Sequence, residues 1–184
     1  MTQSWQRPEL VEAVKTLLSL GANPNYTNGH RNSFALANAV HGSALLLRYM
    51  LEAGGDPNAR DEFGQPIILM NWYLGYYPNQ ARSRLELLLD RGADVNSAMP
   101  EGASDSAGYT LLLYRTKMGL DDNLAYADAL TLIERGADPN RAAADGMTFA
   151  KMLTQHRAHF ARTLRTPPEF AALWDWAEKH GAVH

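Results

Sequence analysis

Gly92-Ala93-Asp94-Val95-Asn96 is the stretch whose reading decides the fold, because the chain writes the same five positions four times. The other copies are Gly21-Ala22-Asn23-Pro24-Asn25, Gly54-Gly55-Asp56-Pro57-Asn58 and Gly136-Ala137-Asp138-Pro139-Asn140, and Gly181-Ala182 begins a fifth. From average residue usage, one such match has a chance probability on the order of 10⁻⁵ per position, so four are not accidental. Each copy follows apolar residues at helical spacing, such as Leu85, Leu88 and Leu89. Its glycine therefore sits where a helix ends through a residue at positive φ. Asp or Asn then bonds to nearby turn amides, and Pro, with no N–H, prevents the helix from resuming.

The glycines lie 33, 38, 44 and 45 residues apart. A fixed motif with a shortest period of 33 and variable excess describes a repeat array with loop insertions. On the helix-end motif Leu87-Leu88-Leu89-Asp90-Arg91-Gly92-Ala93-Asp94-Val95-Asn96, the chain resembles the ankyrin repeat family over residues 8 to 182. The family's helix-start motif survives only in part, as Ser33-Phe34-Ala35-Leu36, Pro66-Ile67-Ile68-Leu69, Thr110-Leu111-Leu112-Leu113 and Thr148-Phe149-Ala150-Lys151. The resemblance implies an all-α, ankyrin-type α-solenoid of stacked helix pairs: an N-terminal half-repeat plus about four repeats in one domain spanning 1–184. Its units are a cap at 1–25, then 26–58, 59–96, 97–140 and 141–184.

Pro8 opens the cap helix, with Leu10, Val11, Val14, Leu17 and Leu18 on its apolar stripe and Glu9, Glu12 and Lys15 behind. The first full unit needs no insertion. The second carries five extra residues, assigned to Gly75-Tyr76-Tyr77-Pro78-Asn79, and the third is lengthened within 97–107 and around Gly119 to Asn123. The fourth has an excess of twelve, centred on 156–168, before a last helix whose stripe is Phe170, Leu173, Trp174 and Ala177. Isolated helices of about 8 to 12 residues are marginal in water, so each pair gains its stability by burying its stripe against the next.

The chain has no cysteine, which excludes disulfides, cysteine-ligated zinc and a cysteine nucleophile and fits a reducing compartment. Its opening residues lack a basic cluster followed by an apolar run, so a cytoplasmic protein that does not enter a membrane is expected. A net charge of −3 lacks the positive field that nonspecific nucleic-acid binding requires, so nucleic acid is not an expected partner.

Chemistry is sparse. His156 and His159 lack a third ligand at metal spacing, and no metal site or cofactor is expected. Asp56, Asp94 and Asp138 recur in register, which suits turn bonding rather than a catalytic group needed once. No phosphate-cradling glycine motif is present, and the chain is not expected to be an enzyme. The locally basic stretch His156 to Arg165 is either a solvated face or a contact for an acidic partner or an RNA backbone.

Ankyrin-like proteins bind other proteins through turn tips and the concave ends of their inner helices. Carried over by register, the resemblance gives tip positions His30, Asn32, Glu62, Phe63, Gln65, Tyr109 and Met147. The inner-helix ends are Val40, His41, Tyr73, Leu74, Lys117, Met118, Gln155 and His156. Phe63, Tyr73 and Tyr109 are the aromatic anchors among them, and the insertions at 75–80 and 97–107 form a second candidate surface. The function implied is a non-enzymatic protein–protein interaction module, as a monomer. It would be an inhibitory or immunity-type protein neutralising a toxin or enzyme, or alternatively a scaffold or secreted effector. A ligand-binding or catalytic pocket built by the long loops is the third alternative.

Overall fold

A computed structural model describes residues 8–26, 34–41, 43–61, 63–73, 78–103 and 106–183, without the side chains of 34, 38, 41, 71–73, 78 and 79. The chain divides into two compact units, Met1–Asp94 and Val95–His184. The first holds α1 (Pro8–Ser19), α2 (Phe34–His41), α3 (Ala44–Glu52), α4 (Ile67–Tyr73) and α5 (Pro78–Asp90). The second holds α6 (Leu111–Met118), α7 (Leu124–Glu134), α8 (Phe149–Thr163) and α9 (Pro168–Lys179). Among the described residues there is no strand, only isolated bridges at Arg60–Pro66 and Ala98–Thr110.

In the first unit α2 packs on α3 and α4, while α3 packs on α1 and α5. Inner helices thus follow inner helices and outer follow outer. The second unit repeats the scheme with α6 on α7 and α8, and α7 on α9. The core of the first comes from Leu36 and Val40 of α2, Leu47 and Met50 of α3, Ile67 to Met70 of α4, and Leu85 and Leu88 of α5. In the second, Tyr126 of α7 and Phe160 of α8 meet Phe170 of α9 edge-on, with centroids 5.2 and 4.9 Å from it. The last helix buries Phe170, Leu173, Trp174 and Ala177, the stripe read from its sequence.

The five motif glycines all hold positive φ, from +69° at Gly181 to +93° at Gly136. At each end the glycine N–H reaches back three residues and the next N–H five, as in Ala93 to the Leu88 carbonyl at 3.0 Å. This double closure satisfies carbonyls that the last helical turn would otherwise leave unpaired. The residue after the glycine is buried at Gly55, Ala93 and Ala137, which is why the motif admits only a small side chain there.

The last motif residue does something the sequence reading missed. The Asn25 side-chain amide donates to the Gly54 carbonyl at 2.8 Å while its oxygen accepts from the Asp56 N–H at 2.7 Å. Asn58 makes the same pair with Gly92 and Asp94 at 3.1 and 2.7 Å. In the second unit Asn96 does so with Gly136 and Asp138 at 3.1 and 2.7 Å. One planar amide thereby ties each turn to the next. The aspartates do bond locally as expected, Asn58 N–H donating to Asp56 Oδ1 at 2.8 Å.

Helix starts fall where the sequence places them. Thr110 and Thr148 accept from the N–H groups of Leu113 and Lys151, capping α6 and α8. Three expectations change. Pro78 and Asn79, read as loop, open α5, since a proline lacks only an N–H that the first turn leaves unbonded anyway. The excess in the fourth repeat is chiefly helix: α8 runs to Thr163, leaving only 164–167 irregular before α9. On α1 Val11 is buried, whereas Leu10 and Leu17 of the expected stripe are exposed.

Candidate functional site

Between α3 and α4 the chain makes a hairpin whose tip is over-determined. The Ile67 N–H donates to the Ala59 carbonyl and the Asp61 N–H to Gln65, both at 3.0 Å, closing the stem. Asp61 Oδ1 accepts from the N–H groups of Phe63 and Gln65 at 2.9 and 2.8 Å. Gly64, at φ +78°, makes the reversal, and its carbonyl accepts from Arg60 Nη1 at 2.8 Å. The product is a fixed turn holding the Phe63 ring in solvent, 77% exposed. An apolar ring so displayed loses contact with its own core and gains nothing until another surface covers it.

The second unit builds the same device before α8. Ala143 N–H donates to the Met147 carbonyl, Gly146 sits at φ +75°, and Met147 N–H donates to Asp145 Oδ1 at 2.8 Å. Its longer neighbour before α6 closes through Met99 N–H to the Tyr109 carbonyl at 3.0 Å. The two tips are joined by Ala144 N–H donating to the Ala107 carbonyl at 2.9 Å. A Cβ on Gly108 would lie 2.9 Å from the Ala144 nitrogen, so glycine is required for that approach.

Of the residues carried over by register, Phe63, Lys117, Met118 and Gln155 are exposed, and Gln65 and Met147 are half-buried. Three belong to the interior instead. Val40 is fully buried in the core of its unit. Tyr109 is 4% exposed, its ring 5.4 Å from that of Tyr114, beneath Lys117 Nζ at 5.4 Å, with its hydroxyl 3.4 Å from Asp145. Burial, then Asp145, raises its pKa, so the phenol stays protonated and braces the long hairpin. His156 is buried with Nδ1 2.9 Å from the Tyr126 hydroxyl, on the side of α8 that faces the aromatic core. The register counts hold along the sequence, but burial is settled by which neighbours the lengthened helix meets. His30, Asn32, Glu62 and Leu74 lie outside the described residues, as do the side chains of His41 and Tyr73, whose backbones belong to α2 and α4.

Exposed apolar residues the register did not select cluster at the α6–α7 turn, where Leu120 and Leu124 join Met118. The turn pivots on Gly119, where any Cβ would collide with the buried Tyr126 ring. Beneath it Arg115, 7% exposed, donates to Asp128 at 2.6 Å and Asp122 at 3.2 Å, fixing α6 on α7. No cluster of three or more His, Cys, Asp or Glu able to hold a metal occurs among the described residues. Nor is any described helix long and apolar enough to cross a membrane.

The architecture is of the ankyrin type: paired helices joined through hairpins, all-α, with glycine-ended outer helices. A solved structure agrees. The crystal structure of EF0377, an ankyrin repeat protein, superposes with a TM-score of 0.65 at 22% sequence identity, covering 90% of this chain and 74% of that one. No protein-family model matches the sequence. No curated protein matches it either.

Proposed function

We propose that the chain is a non-enzymatic module that binds another protein, gripping it with the hairpin tips and the exposed ends of the inner helices. The observation that carries this reading is Phe63, a large aromatic ring 77% exposed on a turn fixed by five hydrogen bonds through Asp61 and Gly64. An anchor held ready in its bound geometry loses little entropy on association, and aromatic anchors dominate interface energetics. Within the second unit, taken by itself, Lys117, Met118 and Gln155 are exposed near inner-helix ends and offer a contact of their own.

The form we favour is inhibitory, an immunity-type protein that covers and neutralises a toxin or enzyme in the cytoplasm. A preformed tip suits tight, rigid occlusion better than transient scaffolding. Affinity capture from native cells tests it: a stoichiometric protein partner is expected, and the partner's own activity should fall when the chain is added back. A partner left fully active moves the reading to a scaffold or effector, and no stoichiometric protein at all removes it.

A further inference from the structure

We infer that the far end of α8 is a second docking element, built to seat Leu164 in an apolar cleft bordered by carboxylates on a partner protein. The inference takes its class of partner from the reading above and adds a surface the hairpin tips do not include.

Three independent features meet at this end. The first is reach. Thr110 and Thr148 cap α6 and α8 in the same way, so the two helices start at equivalent positions, yet α6 has 8 residues and α8 has 15. The difference of seven residues, at 1.5 Å each, carries α8 roughly 10 Å past an ordinary inner helix. The extension is anchored at both ends: Phe160 packs on Phe170 with centroids 4.9 Å apart, and Pro167 is buried. Between them Ala161 to Thr166 are all exposed.

The second feature is the backbone of Leu164. Every other described residue at positive φ is a glycine, including the five that end outer helices, whereas α8 ends through Leu164 at φ +54°. A side chain in this region is strained by contact with its own carbonyl, and glycine would relieve it. Leu164 gains no packing in return, for it is 93% exposed, the most exposed large apolar residue described. A strained conformation that presents an unpacked apolar side chain points to a use outside the chain's own core.

The third is charge. From Gly146 to Pro168 the sequence has Lys151, Arg157, Arg162 and Arg165 and not one carboxylate, in a protein whose net charge is −3. Two of the four are engaged within the fold: Lys151 donates to the Gly146 carbonyl, and Arg157 pairs with Glu178 at 3.2 Å while stacking on Trp174 at 4.2 Å. Among the described residues Arg162 bonds only to its own helix, through Nε to the Ala158 carbonyl, and Arg165 is exposed beside the leucine. Two guanidiniums flanking one leucine match carboxylates around an apolar cleft. The overall negative charge opposes a nucleic-acid or anionic membrane surface, and one leucine is too little apolar area to anchor to lipid.

Site-specific photo-crosslinking in native cells tests this on the full chain, with a benzophenone amino acid placed in turn at Leu164, at Phe63 and, as a control, at exposed Ala172 of α9. The Leu164 probe is expected to yield an adduct with a protein, attached in a cleft lined by apolar residues and rimmed by Asp or Glu. Its yield should fall at least about tenfold in the Arg162→Glu/Arg165→Glu background, and fall again when salt is raised to about 0.5 M. The purified partner should bind Leu164→Gly at least about tenfold more weakly, although this variant melts no lower than wild type. Crosslinking at Phe63 but not at Leu164 overturns the inference and leaves the hairpin-tip reading intact; silence at both overturns both. An adduct with RNA, with lipid or with a second copy of this chain also overturns it, as does equal yield at Ala172.

Discussion

Asn58→Ala removes one side-chain amide and, with it, both bonds by which one turn holds the next. The wild-type amide donates to the Gly92 carbonyl at 3.1 Å and accepts from the Asp94 N–H at 2.7 Å. A net hydrogen bond contributes about 0.5–1.5 kcal/mol, and both of these are exposed, so water can replace part of each. The expected loss is therefore about 1–2 kcal/mol. Asn58→Asp keeps the acceptor and the shape but loses the donor, and should sit at about half that cost. The same motif position supplies its own control. Asn140 has the identical neighbours Asp138 and Pro139, but among the described residues it bonds only locally, its N–H donating to Asp138 Oδ1 at 2.9 Å. Asn140→Ala should cost about 0.5 kcal/mol or less, as surface substitutions do. Urea unfolding followed by far-UV circular dichroism measures all three, with amide exchange at Asp94 as a local readout. Equal losses for Asn58→Ala and Asn140→Ala would refute the reasoning, because the cost would then belong to the asparagine in its own turn and not to the bridge.

Asp128→Ala takes from the Arg115 guanidinium, 7% exposed, the carboxylate 2.6 Å away and leaves Asp122 at 3.2 Å beside it, and should lower stability by about 3 kcal/mol in urea titration. Burial, then the charge of nearby His159, holds His156 below the ordinary pKa of 6.5. The folded state keeps that ring neutral while the unfolded chain protonates, so its effect on stability is flat above about pH 6.5. Below it stability falls, by at most about 1.4 kcal/mol per pH unit until the folded value is passed, and His156→Gln should flatten the profile between pH 6.5 and 5. Leu164→Gly should raise stability by about 1 kcal/mol in thermal melts, since it removes strain at φ +54° from a side chain that packs on nothing.

Repetition made the fold legible. A glycine at positive φ, a small buried successor and an Asp bonding its own turn each leave a residue-type trace at a fixed position, and Gly21, Gly54, Gly92, Gly136 and Gly181 all behave as that trace says. The asparagine at the motif's end carried the same trace, but its partners lie 29 to 42 residues away, so its role emerges only when the turns are brought together. Insertions were countable but not interpretable. Twelve extra residues in the fourth repeat counted only as an excess centred on 156–168, while Phe160, whose burial against Phe170 carries the helix onward, has no local signature. Exposure was legible where it follows from the turn itself, as at Phe63. That reading failed at Tyr109 and His156, where the long hairpin and the aromatic cluster around Tyr126 enclose side chains that register alone leaves outside.

The most direct test of the account compares the dissociation constants of wild type and Phe63→Ala for the protein captured from native cells, in variants shown to melt alike. Phe63 is exposed and contributes no core packing, so its removal should shift stability by less than about 0.5 kcal/mol while weakening binding at least tenfold, about 1.4 kcal/mol. Unchanged affinity at unchanged stability would contradict the claim that these hairpin tips are what the protein uses to hold its partner.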